Sequence, residues 1–279
     1  MGHLLTTSLA FFTPQSGGSP NADEIDSLYK ITLYIALVVF VLVEGGLIYA
    51  LIRFRARKGV VPAQIRGNTR LEVGWTVAAA VILVALAVVT FSKLSAIQNP
   101  PNSGPEGANL AAEHDLLFAS ATRKLPPDGK ALNIEVIGRQ YIWQFVYPGA
   151  SEPDGLGAPY SYEEMVVPTN TTVSLRIVSS DVVHSWWVPK LGGKFQAVPG
   201  YSNYTWFKIP KPGIYTGQCA VLCGRGHATM RATVRAVPPA QFEEWLARQK
   251  TQIAEANAAA KEARATLGKH TGAGQVENP

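Results

Sequence analysis

The chain has 279 residues, a formal net charge of +5 and 47% hydrophobic residues, which accommodates a globular domain plus membrane-embedded mass. The basic excess is largely confined to one short connection, so the charge gives no ground for a nucleic-acid partner.

Residues 1–28 read as an extracytoplasmic N-terminal tail. The apolar patch at residues 4–12 lacks a basic region ahead of it and is too short to span a bilayer. An ordinary tail is therefore preferred to the remnant of an export signal. Two longer apolar runs follow, residues 31–52 with Glu44 as the single charge, and a second from Trp75 to about Ser92. Each is long enough to cross a hydrocarbon core of roughly 30 Å, which predicts a two-helix transmembrane hairpin over residues 29–98. The connection carries Arg53, Arg55, Arg57, Lys58, Arg66 and Arg70 against the acid Glu72, whereas Asp23, Glu24, Asp26 and Lys30 precede the first run. By the positive-inside rule the connection is cytoplasmic and everything after the hairpin is extracytoplasmic. A carboxyl inside an apolar run is costly to ionise in lipid, so Glu44 is expected to be neutral or paired and to face a partner helix. No role is assigned to it.

Residues 99–130 read as a linker, opened by a Pro/Asn/Gly-rich stretch. Short β-type runs then recur at residues 133–137, 141–147, 172–178, 183–188, 204–209, 213–218 and 232–237, with Pro148-Gly149, Pro199-Gly200 and Pro212-Gly213 as punctuation. That rhythm predicts an all-β sandwich or barrel over residues 131–238. Pro239 suits the first position of a surface helix over residues 240–267, and residues 268–279 form a polar tail expected to be disordered. His3, His114 and His270 lie outside any motif and are expected at the surface.

The chain's two cysteines fall in Cys219-Ala-Val-Leu-Cys223-Gly-Arg-Gly-His227-Ala-Thr-Met230, and His184 lies upstream in Asp181-Val-Val-His184-Ser-Trp-Trp. Thiolate, imidazole and thioether are soft to borderline ligands, a set that suits copper. A single blue-copper ion needs only His184, Cys223, His227 and Met230. Cys219 is then a surplus thiolate, and two thiolates can bridge a second ion, which proposes a dinuclear copper electron-transfer centre. A Cys219–Cys223 disulfide is the bland alternative for an extracytoplasmic domain. Structural zinc is disfavoured by the methionine and by the spacing. A copper-delivery or thiol-redox protein would be expected on a thioredoxin-like βαβ background that the pattern lacks. Placing His184 on an inner strand and the other ligands on one late loop gives a cupredoxin-like Greek key.

The chain resembles subunit II of the haem–copper cytochrome c oxidases over residues 19–238. Besides the copper loop, the resemblance is carried by Gly67-Asn-Thr-Arg-Leu-Glu72-Val-Gly-Trp75-Thr, Gly138-Arg-Gln-Tyr141-Ile-Trp143, Trp187-Val-Pro-Lys-Leu-Gly-Gly-Lys194 and Ala197-Val-Pro-Gly200. It implies that His184, Cys219, Cys223, His227 and Met230 bind a dinuclear CuA centre, completed by the backbone carbonyl of Val221. It implies cytochrome c as electron donor, a haem-bearing subunit I that receives the electrons and reduces dioxygen, and a subunit III. Asp181, Trp186 and Trp187 are candidates for the shell around the metal. The Ala-, Gly- and Arg-rich composition points to the plasma membrane of a bacterium.

Three positions qualify the resemblance. Val221 stands where the family usually has a glutamate that helps bind magnesium at the subunit I interface, and Gln196 stands where an aspartate is common; this weakens the case for magnesium and leaves copper intact. Tyr141 replaces the tryptophan at which electrons enter, so Tyr141 or the neighbouring Trp143 is expected to take that role, with a plain core position as the alternative for Trp143. Glu72 matches a glutamate at the mouth of a proton channel, against the alternative of a solvated charge beside Arg70. Quinol oxidases share the architecture but lack the copper ligands. Nitrous oxide reductase has the copper motif without the hairpin. No C-x-x-C-H segment follows, so no covalently attached haem c is expected. Between residues 132 and 237 the acids are matched or exceeded by bases, so docking of cytochrome c is expected to depend weakly on salt.

Overall fold

The computed structural model describes residues 14–56, 59, 61, 63–108, 123–149 and 158–270, the side chains of residues 267–270 excepted. The apolar patch at residues 4–12, His3, Arg57, Lys58, His114, residues 271–279 and the His270 side chain lie outside the described residues. The chain divides into two compact units, residues 23–98 with the N-terminus, and residues 16–22 together with everything from Asn99 onward.

The first unit is the hairpin. Helix α1 runs Pro20–Arg53 and helix α2 runs Thr69–Gln98. Both are longer than the apolar runs that betray them, and α1 begins inside the segment expected to be tail. Proline at its first position costs no hydrogen bond, because that N–H has no intrahelical partner anyway. Asn68 caps α2 by accepting the Leu71 N–H at 3.2 Å, while Glu72 reaches back to accept the Asn68 N–H at 3.1 Å. An ion pair of 2.7 Å between Lys93 and Glu24 ties the far ends of the antiparallel helices together.

The second unit is a β-sandwich. Its strands are β1 (Leu132–Arg139), β2 (Ile142–Val146), β3 (Tyr160–Tyr162), β4 (Glu164–Pro168), β5 (Thr172–Ser179), β6 (His184–Trp186), β7 (Phe195–Ala197), β8 (Asn203–Lys208), β9 (Gly213–Gln218) and β10 (Arg231–Val237). One sheet has the order β3-β2-β1-β5-β8, the other β4-β10-β9, and β6 pairs with β7 in a separate ladder. β1 runs parallel to β5 and β4 parallel to β10, with antiparallel neighbours elsewhere. Along β1 every second residue is buried, so Leu132, Ile134 and Val136 meet Trp143 and Phe145 of β2, Leu175 and Ile177 of β5, and Val234 of β10 in one core.

Strands β3, β4 and β7 fall where no strand was expected. β3 and β7 are three residues each, too short for an alternation to register, and β4 (Glu-Met-Val-Val-Pro) is buried along four of its five positions, so it never alternates. The expected run 183–188 shortens to His184–Trp186.

The start of the expected linker is bonded to the β domain. Pro101 accepts the Thr172 hydroxyl at 2.5 Å, Ser103 accepts the Thr172 N–H at 3.1 Å, and the Gly104 N–H donates to Asn170 at 2.6 Å. A polar, proline-rich stretch looks unstructured by composition yet can serve as an ordered strap, because its backbone groups still need partners. Helix α3 (Pro239–His270) passes the expected end at residue 267 by three residues. Its first turns bury Phe242 and Trp245 against Tyr147, with ring centroids 6.3 and 4.9 Å away.

Candidate metal centre

The loop between β9 and β10 is closed at its base by a 2.9 Å hydrogen bond from the Cys219 N–H to the Met230 carbonyl. That bond brings the first and last expected ligands of the loop together. A second bond of 2.9 Å, from the Ala220 N–H to the Ser185 carbonyl, docks the loop on β6 and so beside His184. A 3-10 turn at His227–Thr229 then folds the imidazole back.

The side chains converge. Cys219 and Cys223 Sγ lie 3.9 Å apart, Cys223 Sγ is 3.6 Å from His227 Nδ1 and 3.9 Å from Met230 Sδ, and the Val221 carbonyl oxygen is 3.3 Å from Cys219 Sγ. Ligand atoms of His184, Cys219 and Cys223 all fall within 4.8 Å of one another, and all three residues are buried. All five side-chain ligands expected from the sequence are thus brought to one place. Both cysteines are free, which removes the disulfide alternative.

The residues fit a soft metal. Asp181 Oδ1 lies 2.8 Å from His184 Nε2, and a carboxylate can only accept, so that nitrogen carries the proton. His184 Nδ1 is left as a buried lone pair without a hydrogen-bond partner. Partial burial raises the Asp181 carboxyl, but hydrogen bonds from the Gln140 N–H, from His184 and from the Val182 N–H outweigh it and hold the group at about 2. Burial, and then the neighbouring Cys219, push the Cys223 thiol upward. A thiol gives up its proton when a metal cation takes its place. A metal–thiolate bond of about 2.3 Å lets one ion reach both sulfurs at this spacing.

The shell adds residues that the motif alone does not reveal. Gln140, in the β1–β2 turn, donates its N–H to Asp181 Oδ2 at 2.7 Å and its side-chain amide to the Cys223 carbonyl at 2.7 Å. One residue therefore braces both the His184 arm and the cysteine loop. The Tyr141 hydroxyl accepts the Arg225 N–H at 3.1 Å, and its ring lies so close to Gly226 that a Cβ there would stand 2.5 Å from it. A Cβ at Gly138 would likewise press on the His184 and Trp143 rings at 3.0 Å. These glycines could have flagged the crowding, since close backbone approach is what a missing side chain allows.

Of the two aromatic candidates, only Tyr141 reaches the surface, at 36% exposure. Trp143 is fully buried and packs edge-on against His184 with centroids 5.8 Å apart. Trp186 is buried and stacked on Phe207, whereas Trp187 lies under Lys194 with the ammonium 4.6 Å from its ring. Val182 and Val183, just before His184, and Leu222, just before Cys223, are exposed, as is Tyr141. Glu72 is not part of this site; its described contact is the cap of α2.

Fold and ligand set together define a membrane-anchored, cupredoxin-like copper protein. Sequence profiles of cytochrome c oxidase subunit II match at residues 7–92 for the transmembrane domain and at residues 160–237 for the periplasmic domain. A protein of Rickettsia bellii described as a probable cytochrome c oxidase subunit 2 is 32% identical over 247 residues, covering 84% of this chain and 82% of that protein. Cytochrome c oxidase subunit 2 of Cereibacter sphaeroides is 30% identical, covering 84% and 80%. The crystal structure of the periplasmic domain of subunit II of cytochrome oxidase from Bradyrhizobium japonicum is 33% identical, with a TM-score of 0.41 over 44% of this chain and 97% of that one. The chain belongs to the cytochrome c oxidase subunit II family.

Proposed function

We propose that the chain is the electron-input subunit of a proton-translocating cytochrome c oxidase in the plasma membrane of a bacterium. His184, Cys219, Cys223, His227 and Met230, with the Val221 carbonyl, hold a dinuclear CuA centre. The observation that carries this reading is the pairing of two buried thiols 3.9 Å apart beside a buried imidazole nitrogen without a partner. A copper pair held by these residues would supply one-electron transfer without bond chemistry. The protein's part is to fix the geometry. Asp181 sets the His184 tautomer, Gln140 locks the two arms, and the surrounding core keeps water from the sulfurs.

Cytochrome c docks over Tyr141, Val182, Val183 and Leu222, where apolar surface lies beside the ligands. The electron acceptor would be haem a of subunit I, and subunit III would complete the assembly; family membership supports these partners. No interface magnesium is proposed, because Val221 and Gln196 offer no carboxylate. Glu72 is proposed at the mouth of a proton path, in addition to its capping role.

Metal analysis and visible spectroscopy of the full chain, extracted from membranes in detergent, test the proposal. Two coppers per chain with intense visible bands support it. A single colourless copper would favour a storage or delivery protein, and none would favour a quinol-fed subunit.

A further inference from the structure

We propose that Glu44 anchors the hairpin to the haem-bearing subunit of the oxidase: a transmembrane helix of that subunit lies in the groove between α1 and α2 and meets the carboxyl with an amide or hydroxyl side chain. This rests on the reading of the chain as one subunit of a membrane oxidase.

The groove is open, holds about 470 Å³ and is lined by Ile35, Val39, Phe40 and Val43 of α1 and by Ile82 and Leu86 of α2, with Glu44 on its wall. Glu44 lies nine residues before Arg53, the basic end of α1, which at 1.5 Å per residue is about 14 Å. Half of a hydrocarbon core of roughly 30 Å is about 15 Å, so the carboxyl sits near the mid-plane. Polar groups at that depth find neither water nor headgroups, and they pair with other protein groups.

Among the described residues, the groove's own lining leaves no polar group free to do so. Thr32, the hydroxyl on the groove, donates to the Leu28 carbonyl at 3.0 Å, and Thr76 and Thr90 of α2 donate to Glu72 and Leu86 carbonyls at 2.8 Å. Among the described residues none bonds Glu44. A lipid tail would leave the carboxyl equally bare, whereas a helix carrying Asn, Gln, Ser or Thr would satisfy it.

The test uses the whole oxidase, purified in mild detergent through a tag on this chain, with haem and copper counted per chain. Glu44→Leu is more apolar than the native residue, so insertion of the hairpin is not at risk. The ratio of bound to free haem-bearing subunit should fall roughly three- to fifteen-fold, the range of one interhelical hydrogen bond in a bilayer. Glu44→Gln, which can still donate and accept, should stay close to wild type. Full retention of haem in Glu44→Leu would overturn the proposal, as would a loss in Glu44→Gln equal to that in Glu44→Leu. Copper per chain reports on the metal-centre reading separately: its loss in the wild type would break that reading, and its constancy across both variants isolates the effect at Glu44.

Discussion

In the β domain Trp143, Phe145, Met165 and Leu175 keep no exposed surface, whereas no residue of α2 is buried and Leu83, Val84 and Phe91 are all largely exposed. The sandwich buries its apolar side chains against one another and closes its site with its own hydrogen bonds. The hairpin closes its backbone bonds within each helix, as a bilayer demands, and leaves its side chains for lipid or for other subunits. One region is complete as a folded object and holds the metal ligands; the other is an interface waiting for its surroundings.

Truncation in the two regions should therefore differ most. Trp143→Ala should lower the stability of the β domain by about 3–5 kcal/mol in chemical denaturation and loosen His184 with it. Leu83→Ala on α2 should leave that unfolding curve unchanged; a matching loss would mean that the two regions are less independent than their packing implies.

Removing the brace should be a smaller, more local change. Gln140→Leu deletes the side-chain donor to Cys223 but keeps the backbone bond to Asp181. The expected outcome is full copper content with shifted visible bands and a changed reduction potential. Unaltered bands would show that the Cys223 carbonyl needs no side-chain donor.

At the start of α2, Asn68→Ala should cost about 0.5–2 kcal/mol of local stability, read as faster amide exchange in the first turn. Glu72 separates two roles there. Slowed oxidase turnover in both Glu72→Ala and Glu72→Gln indicates a proton path, because glutamine keeps the capping oxygen. Slowing in Glu72→Ala alone indicates the cap.

The smallest effect concerns salt. Glu135 is paired with Arg176 and Glu164 with Arg235 at 3.0 Å, so two of the described acids of the β domain are met by its own arginines. Stopped-flow reduction of the centre by cytochrome c should slow by less than about tenfold from low to physiological salt. A steeper fall would place an attractive acidic field on the domain after all.

Much of this was readable in the sequence because it is written in strong local signals. Two long apolar runs gave the hairpin, and four ligands at fixed spacing gave the centre, with His184 added from upstream. What stayed hidden depends on long-range pairing. β4 is buried on both faces and shows no alternation. The strap at residues 101–108 is held by Asn170, Thr171 and Thr172, more than sixty positions away. Gln140 reaches Cys223 across 83 positions, and no spacing rule links the two. Trp143 and Tyr141 are two residues apart, yet one faces the core and the other faces solvent, a distinction set by the turn between β1 and β2 and invisible in composition.

The central claim is that Cys219 makes the centre dinuclear, and metal analysis of the wild-type full chain beside Cys219→Ser tests it most directly. The wild type should carry two coppers, and Cys219→Ser one or fewer, with the spectrum of a mononuclear or disordered site. Met230→Leu should keep both ions and shift only the potential, since a thioether is a weak ligand. One copper in the wild type, unchanged in Cys219→Ser, would contradict the account.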